Sequence, residues 1–380
     1  MKVPFVDLHA QYLGIKAEID SAIAEVIAQS AFIRSKHVDA FEQAWAQTLK
    51  VKHCVSCANG TDALYIAMRG LGLKAGDEVI TTAHSWIATS ETITQAGGRV
   101  VFCDTQEDTF NIDPHLIEAK ITKATVGIIP VHLCGQPADM DDIMAIAKKY
   151  NLWVIEDCAQ AHLARYRGKL VGTFGNAATF SFYPGKNLGA YGDAGCIVTN
   201  DDALADWTAT FARHGGKGEH VMEGINSRMD GLQAAILNVK LPHLPMWTTA
   251  RRRVAGRYNE LLSGIDSLTT PKVGDDRGHV YHLYVIATDR RDSLKQALTD
   301  AEITTSLNYP KALPFYPAYA YLGQRPADFP AAYRNQSRIL SLPIFPEMTD
   351  EMIEYVADQS RRALGDETAV RSNATKLARV

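Results

Sequence analysis

The amino-acid sequence predicts an α/β protein with a large domain built on a mostly parallel β-sheet and a smaller C-terminal α+β domain. Apolar segments typical of strands alternate with amphipathic segments typical of helices through the first half of the chain. This alternation predicts a parallel sheet with helices on its faces. One segment, VGIIPVHL at residues 126–133, lacks the polar alternation of a half-exposed strand and therefore predicts a buried one. After about residue 200 this pattern gives way to a different one.

The elements of the first half follow one another in a regular order. Residues 56–73 contain a short apolar segment, a Gly-Thr turn and a helix. Apolar side chains at helical spacing predict the other helices at residues 12–29, 41–51, 91–98 and 139–151. Apolar runs beside turn residues predict strands at residues 76–84, 97–104, 126–133, 152–157, 177–184 and 195–200. Ligands bind at the carboxyl ends of strands in such sheets, and several of these strands end in polar or acidic residues.

The second half has the composition of a smaller α+β unit. It predicts a long helical segment, a strand, a helix, and an extended piece that runs into a final helix, at residues 226–262, 279–289, 292–301 and 337–364. We therefore expect a large domain, a small domain and a polar, disordered tail, at residues 1–240, 241–366 and 367–380.

Composition and charge exclude several classes of protein. The 380 residues are 46% hydrophobic and 22% charged, which is ordinary for a globular chain with a sizeable core. The formal charge of −4 gives no general attraction to nucleic acid or to a membrane surface. Neither a membrane-spanning run nor the features of a signal peptide are visible. We expect a cytoplasmic protein without a nucleic-acid or membrane partner.

The six cysteines do not predict a metal site. Only Cys54 and Cys57 form a C-x-x-C pair, and the second close pair that a zinc site requires is missing. A redox role for this pair stays open at this point, although reduced structural thiols are the usual state in the expected compartment.

The glycine-rich stretch SFYPGKNLGAYGDAG, residues 181–195, contains one lysine, Lys186. A Walker nucleotide loop would need glycine in place of Phe180 and serine or threonine in place of Asn187, so this role is excluded. A surface lysine on a turn remains possible. The position of Lys186 between two apolar strands favours partial burial, which lowers the pKa of a lysine and makes it a candidate nucleophile.

A lysine that forms a Schiff base with pyridoxal phosphate needs an acid at the pyridinium nitrogen, a phosphate cradle and a flat side chain over the ring. Asp157 ends a predicted strand and suits the acid, although it could equally cap the next turn. Gln160 could contact the phenolic oxygen of the ring. Trp86 could stack on the ring or belong to the core.

The predicted phosphate cradle consists of Gly60, Thr61 and Ser181. Gly60 and Thr61 open a helix and offer free backbone N–H groups, which would also fit an ordinary helix start. Ser181 lies five residues before Lys186 and could add a hydroxyl group.

Taken together, the motifs NGTDAL, EDCAQA, SFYPGKNLGAYGDAG and NSRMDGLQAAIL closely resemble those of the sugar-nucleotide aminotransferases, the DegT/StrS group of fold-type-I pyridoxal-phosphate enzymes. The resemblance runs from FVDL near the N-terminus to SLPIFPEMT near the end of the chain. It implies the fold-type-I architecture and pyridoxal 5'-phosphate as the cofactor. It also makes Cys54 and Cys57 packing residues rather than a redox pair.

The resemblance assigns roles to individual residues. Lys186 matches the Schiff-base lysine and Asp157 the acid at the ring nitrogen. The other positions that match cofactor-binding residues of the family are Gly60, Thr61, Trp86, Gln160, Ser181 and Asn226. In the family, the residue at the position of Asn226 reaches the cofactor phosphate of the neighbouring subunit, which implies a homodimer with shared active sites.

The implied reaction is transfer of an amino group, with glutamate as donor, to a nucleotide-linked keto sugar, a 3-keto sugar being favoured over a 4-keto sugar. Candidate ligands for the donor carboxylate or the diphosphate are Arg213, His214, Lys217 and Arg228, although their loop could also be a solvated segment. Tyr309 is kept in a segment that contributes to the sugar pocket of relatives. Asn308 and Pro314 depart from the family pattern there, which bears on the substrate.

Two alternatives remain beside this interpretation. One is a sugar dehydratase of the same fold, in which histidine replaces the lysine, so that Lys186 argues against it. The other is a non-catalytic regulator that keeps the fold and the cofactor.

Overall fold

The computed structural model describes residues 1–216, 218–274 and 276–365. Lys217 and the predicted tail at residues 367–380 lie outside the described residues. None of the helices in the described part of the chain combines the length and apolar character that a membrane crossing requires.

The described residues form twelve β-strands, most of them four or five residues long. They are β1 His53–Cys57, β2 Glu78–Thr82, β3 Arg99–Cys103, β4 Thr125–Ile129, β5 Trp153–Asp157, β6 Arg165–Tyr166, β7 Lys169–Leu170, β8 Ala177–Ser181, β9 Gly195–Thr199, β10 Arg277–Gly278, β11 Tyr284–Ala287 and β12 Ile339–Leu342.

Twelve α-helices connect or flank these strands within the described residues. They are α1 Leu8–Gly14, α2 Lys16–Ala28, α3 Lys36–Leu49, α4 Gly60–Gly70, α5 Ala88–Gln95, α6 Met140–Tyr150, α7 Asp202–Phe211, α8 Gly231–Lys240, α9 Leu244–Leu261, α10 Arg291–Asp300, α11 Pro330–Asn335 and α12 Asp350–Leu364.

The central sheet has seven strands in the order β1-β9-β8-β5-β4-β2-β3. The strand β9 is antiparallel to both of its neighbours, and every other neighbouring pair is parallel. The crossover helices place apolar side chains against both faces, so the strands are buried almost throughout. The carboxyl ends of the parallel strands, and the beginning of β9, therefore meet at one edge of the sheet.

Aromatic side chains fill much of the core between α3 and the sheet. The ring centroids of Trp45 and Phe180, and those of Phe41 and Phe182, are 5.1 Å apart in edge-to-face geometry. All four side chains are fully buried. This contact fixes α3 over β8 and thereby supports the strand that leads to the glycine-rich stretch.

The C-terminal part forms a second core around the two-stranded β11–β12 sheet, with α9, α10 and α12 packed against it. The chain start joins this core, because Val3 is buried in it and pairs with Ile303 in a parallel bridge. Leu241 and Leu244 instead pack into the core that contains α3 and β8. The division of the chain at residue 240 stays a prediction.

Several elements differ from the sequence prediction, and tertiary contacts explain most of the differences. Residues 12–29 form two helices, because Ile15, which follows Gly14, leaves the helical conformation. The segment before α8 is extended, because Ser227 accepts the Ala58 N–H and donates to Asp62. Residues 53–57 form a strand, and it contains both residues of the C-x-x-C pair. All six cysteines are free and buried.

The strand predicted at residues 279–289 is also shorter than expected. Leu283 donates its backbone N–H to Cys134, and Val280 donates to Gly135. The backbone before Tyr284 is therefore bound to the loop after β4 rather than to β12, and only β11 continues as a strand.

We expect the substitution Gly127→Ala to destabilise the fold by about 1–3 kcal/mol, the usual cost of overpacking a core. Gly127 pairs with Trp153 across β4 and β5, and a Cβ atom there would overlap the indole ring. Thermal unfolding at a fixed scan rate measures the effect as a lowered midpoint.

Gly256→Ala serves as the matched control. Gly256 lies inside α9 and a Cβ atom there meets nothing within 4 Å. Alanine should therefore stabilise the helix by about 0.5–1 kcal/mol and raise the midpoint. Equal midpoints for both variants would contradict the packing described for Gly127.

Candidate active site

The candidate active site lies at the edge of the sheet where the parallel strands end. It contains Asp157 from the end of β5, Ser181 from the end of β8, Gly60 from the start of α4, and Lys186 from the loop between β8 and β9. The sequence placed these residues up to 126 positions apart, as from Gly60 to Lys186. The order of the strands in the sheet brings them to one edge.

The Asp157 carboxylate is buried and tightly held. It accepts hydrogen bonds from the Thr89 hydroxyl, at 2.8 Å, and from the Ala159 backbone N–H, at 3.1 Å. Burial raises the pKa of Asp157, and these two hydrogen bonds together with the charge of Lys186 oppose that rise. Among the described residues the carboxylate accepts these two hydrogen bonds, which leaves it able to bind a cationic group of a ligand as well.

Lys186 lies in the loop of residues 182–194, which we call the Lys186 loop. Its backbone N–H donates to Tyr183, which forms a tight turn. Glycine is required at residue 189, because a Cβ atom there would overlap the Pro184 carbonyl group. Burial lowers the pKa of the half-buried Lys186 to about 8, and the charge of Asp157 partly opposes this shift. About a tenth of the amine is therefore neutral at pH 7, far more than for a solvated lysine.

The residues predicted to form the phosphate cradle lie close together, at the start of α4 and the end of β8. A Cβ atom on Gly60 would lie 2.7 Å from the Ser181 Cβ atom, so only glycine lets the start of α4 approach the end of β8 this closely. Asn59 caps the helix by accepting the Asp62 N–H through its side chain. Within the described part of the chain, this leaves the N–H groups of Gly60 and Thr61 as free donors of the first turn.

Gln160 is buried and has a fixed orientation. Its side-chain oxygen accepts the Cys134 backbone N–H at 2.6 Å, and its side-chain nitrogen donates to the Tyr309 hydroxyl group at 2.8 Å. Beyond the bond to Tyr309, the amide nitrogen has one further N–H to donate. Tyr309 is thus brought to the same edge as Gln160, although the two residues are 149 positions apart.

Trp86 follows β2, and its side chain is 58% exposed, which excludes a core role. Its ring centroid is 5.6 Å from that of Tyr309, with the planes tilted by 44°. The remaining surface of the indole ring is available for a flat ligand.

The basic candidates of the loop after α7 are only partly brought together. Arg213 is half-buried, 3.9 Å from the Glu42 carboxylate, and burial lowers the pKa of its guanidinium. His214 is exposed, with its carbonyl group bonded to the ring of His220. Asn226, an exposed residue, lines a cavity of about 410 Å³ together with Arg228. Lys217 lies outside the described residues.

A buried group of possible metal ligands, His132, Glu156 and Cys158, lies beneath the site. His132 accepts the Ala138 N–H at Nδ1, so its proton is on Nε2, which donates to Glu156 at 3.1 Å. Burial would raise the pKa of Glu156, but the bonds from His132 and from backbone N–H groups lower it below its usual range. Burial raises the pKa of the Cys158 thiol well above its usual range. The side chains of His132 and Glu156 are used in hydrogen bonds, and the Cys158 thiol keeps its proton. The group therefore does not offer free metal ligands.

Sequence analysis did not identify some of the residues that shape the site. Thr89 orients Asp157, and His84 accepts the Tyr309 backbone N–H. Both belong to the polar stretch TTAHSWIATS after β2, so the end of that strand carried a signal. The Cys134 N–H acts through the backbone and leaves no trace in the sequence.

The chain is similar to known proteins over most of its length. Among curated proteins, the chain is 47% identical to a protein of Geobacillus stearothermophilus named pleiotropic regulatory protein, over 94% of this chain and 98% of that protein. It is 41% identical to the UDP-N-acetyl-3-dehydro-alpha-D-glucosamine 3-aminotransferase of Acidithiobacillus ferrooxidans, over 95% of this chain and 98% of that protein.

A solved structure is also similar. The crystal structure of DesV from S. venezuelae, in complex with a ketimine intermediate, superposes with a TM-score of 0.93 at 38% identity, over 96% of this chain and 99% of that one. This likeness confirms the predicted fold class. The sequence model of the DegT/DnrJ/EryC1/StrS aminotransferase family matches residues 14–361, and the chain belongs to this family.

Proposed function

We propose that this protein is a pyridoxal-phosphate-dependent aminotransferase that converts a nucleotide-linked keto sugar into the corresponding amino sugar, with glutamate as the amino donor. The observation that carries the proposal is the placement of a buried carboxylate, Asp157, and a lysine of lowered pKa, Lys186, at one edge of the sheet. The contact between Gly60 and Ser181 stands at the same edge.

The residues at this edge fit pyridoxal phosphate. Asp157 would hold the protonated ring nitrogen, and the free N–H groups of Gly60 and Thr61, with the Ser181 hydroxyl group, would bind the phosphate. The second N–H of the Gln160 amide, beyond the one bonded to Tyr309, would suit the phenolic oxygen. Trp86 would cover one face of the ring.

When bound, the cofactor supplies an electron sink for the carbon atom that loses or gains a proton. The Asp157 carboxylate would keep the ring nitrogen protonated. The Lys186 amine would hold the cofactor and, when free, would take up a proton as base and return it as acid. A pKa of about 8 suits both roles, because the amine can accept and return a proton near neutral pH.

The residues proposed to bind the substrate are not brought together as closely as those proposed to bind the cofactor. Arg213, His214, Lys217 and Arg228 remain candidates for binding the donor carboxylate or the nucleotide diphosphate. Tyr309 remains a candidate for the sugar pocket. Amination at C3 is favoured over C4, since the relative from A. ferrooxidans is named a 3-aminotransferase.

We also propose a homodimer with shared active sites. Asn226 is exposed in the single chain and lines an open cavity beside Arg228, so a second chain could reach it. By resemblance to the family, Asn226 would contact the cofactor phosphate of the partner subunit.

The alternative of a non-catalytic regulator has one specific observation behind it, the name of the relative from G. stearothermophilus. Against it stands the complete set of Asp157, Gln160, Ser181 and Lys186 at one edge. A dehydratase would lack the lysine, and Lys186 is present.

A substrate panel tests the proposed function. UDP-, dTDP- and GDP-linked keto sugars are each incubated with the cofactor-loaded protein and glutamate, and amino sugar and 2-oxoglutarate are measured. Formation of both in equal amounts supports the aminotransferase. A deoxy sugar without nitrogen would identify a dehydratase, and cofactor binding without turnover of any keto sugar would favour the regulator.

We expect Lys186→Ala to abolish turnover while the protein still binds pyridoxal phosphate without a covalent bond. The cradle and Asp157 remain, and only the amine is lost. Borohydride reduction followed by peptide mass spectrometry should place the cofactor on Lys186 in the unmodified protein and on no peptide of the variant. A cofactor that is fixed to another lysine would contradict the assignment.

We expect the Lys186 amine of the cofactor-free protein to react with an acylating reagent with a midpoint near pH 8, well below that of a solvated lysine. In Asp157→Asn the midpoint should fall further, because removing the carboxylate charge removes an attraction that favours the protonated amine.

Labelling at each pH is quantified by peptide mass spectrometry, and exposed lysines of the same samples give the internal reference. A midpoint that rises in Asp157→Asn, or does not move, would show that the two groups do not interact as described.

A further inference from the structure

His84 lies just after β2 at the edge of the sheet that carries the candidate active site, and it has no role in the function proposed above. Its side chain is 1% exposed, although imidazole is a polar group. Its Nε2 atom accepts the backbone N–H of Tyr309 at 3.0 Å. Since Nε2 is the acceptor, the single proton of the neutral ring is on Nδ1.

The neutral form of His84 is strongly favoured. Burial lowers the pKa of this histidine to about 4. Its Nδ1 atom is buried without a hydrogen-bond partner among the described residues. A buried donor without a partner costs free energy. The bond at Nε2 and the packing around the ring must outweigh this cost for the ring to keep its position.

Tyr309 is therefore held at two points. The histidine fixes its backbone, and the Gln160 amide, itself oriented by the Cys134 N–H, donates to its hydroxyl group at 2.8 Å. The same segment is bound to the end of β2 a second time, because Leu313 donates its N–H to the Ala83 carbonyl group at 2.8 Å.

In this arrangement the Tyr309 hydroxyl group can still donate one hydrogen bond. The oxygen has accepted one hydrogen bond from Gln160, and its own proton is free to be donated. Burial raises the pKa of this phenol, which keeps that proton in place at neutral pH. The ring lies beside Trp86, whose exposed surface is the proposed face for a flat ligand.

We propose that His84 is a positioning residue, which holds Tyr309 so that its hydroxyl group donates a hydrogen bond to an oxygen atom of the bound keto sugar. This inference rests on the proposed function. It assigns to the loop after β2 a part in binding the sugar, and it makes the sugar half-reaction more sensitive to His84 than the half-reaction with the amino donor.

Two substitutions of similar chemistry test the role. Glutamine at position 84 can place its amide oxygen where Nε2 lies, whereas the shorter asparagine cannot reach the Tyr309 N–H. His84→Gln should keep the rate of the keto-sugar half-reaction within about threefold, and His84→Asn should slow it about tenfold, the effect of one lost hydrogen bond. The half-reaction with glutamate should be unchanged in both variants. A His84→Asn protein that aminates the sugar at the normal rate would overturn the proposal.

The double variant His84→Asn/Tyr309→Phe tells whether His84 acts through Tyr309. If it does, the double variant is no slower with the keto sugar than Tyr309→Phe alone, because the hydroxyl group that His84 positions is already missing. Independent, multiplying losses would contradict a positioning role. Thermal midpoints of all variants show whether any loss comes from unfolding.

A measurement on the unmodified protein separates this inference from the proposed function. In protein labelled with ¹⁵N-histidine, the ring signals at pH 7 should show His84 as neutral, with the proton on Nδ1 and Nε2 as acceptor, and His84→Gln identifies the signal by its loss. A proton on Nε2 would exclude the bond to Tyr309. If no keto sugar is aminated at all, the proposed function fails, while this spectrum still decides whether His84 holds Tyr309.

Discussion

The carboxylate of Asp157, buried at the end of a central strand, is the group around which the rest of the site is organised. Burial opposes its ionisation, and one hydroxyl group, one backbone N–H and the nearby charges of Lys186 and His132 favour it. The same proximity acts on the lysine, whose amine is partly deprotonated by burial and partly kept charged by the carboxylate. Each group thus influences the protonation of the other.

The sheet makes this pair possible. Parallel strands bring residues that are far apart in sequence to one edge, and the helices on both faces exclude water from the strand ends. The buried pair of His132 and Glu156 reinforces the same edge, since the Glu156 carboxylate also accepts the backbone N–H groups of Gly172, Phe174 and Gly175. The site is therefore built on hydrogen-bonded backbone, which limits the movement of Asp157 next to it.

Much of the fold and of the site could be predicted from the sequence, because the information was local. The alternation of strands and helices, the polar ends of the strands and the glycine next to Thr61 are all visible in short stretches. The assignments that failed depended on distant partners. Residues 226–230 have a helical pattern, yet Ser227 is bound to Ala58 and Asp62, and these tertiary bonds outweigh helix propensity.

The orientation of Gln160 was likewise beyond the reach of sequence analysis. It depends on a backbone N–H group 26 positions earlier and on a hydroxyl group 149 positions later, so residue type alone could not reveal it. The strand β1 also depends on a distant partner. Its residues, HCVSC, have a weak strand pattern, and the pairing with β9 over five residues supplies what the pattern lacks.

The reversed direction of β9 has a consequence for the Lys186 loop. Because β8 and β9 are antiparallel neighbours, the loop is the closed end of a hairpin, and Ser181 pairs directly with Gly195 where it begins and ends. The reactive amine is thus carried on a segment whose two ends are fastened to each other as well as to the sheet. Side chain and scaffold are separable at this point of the molecule, because the hairpin is held by backbone pairing that does not depend on which side chain stands at position 186.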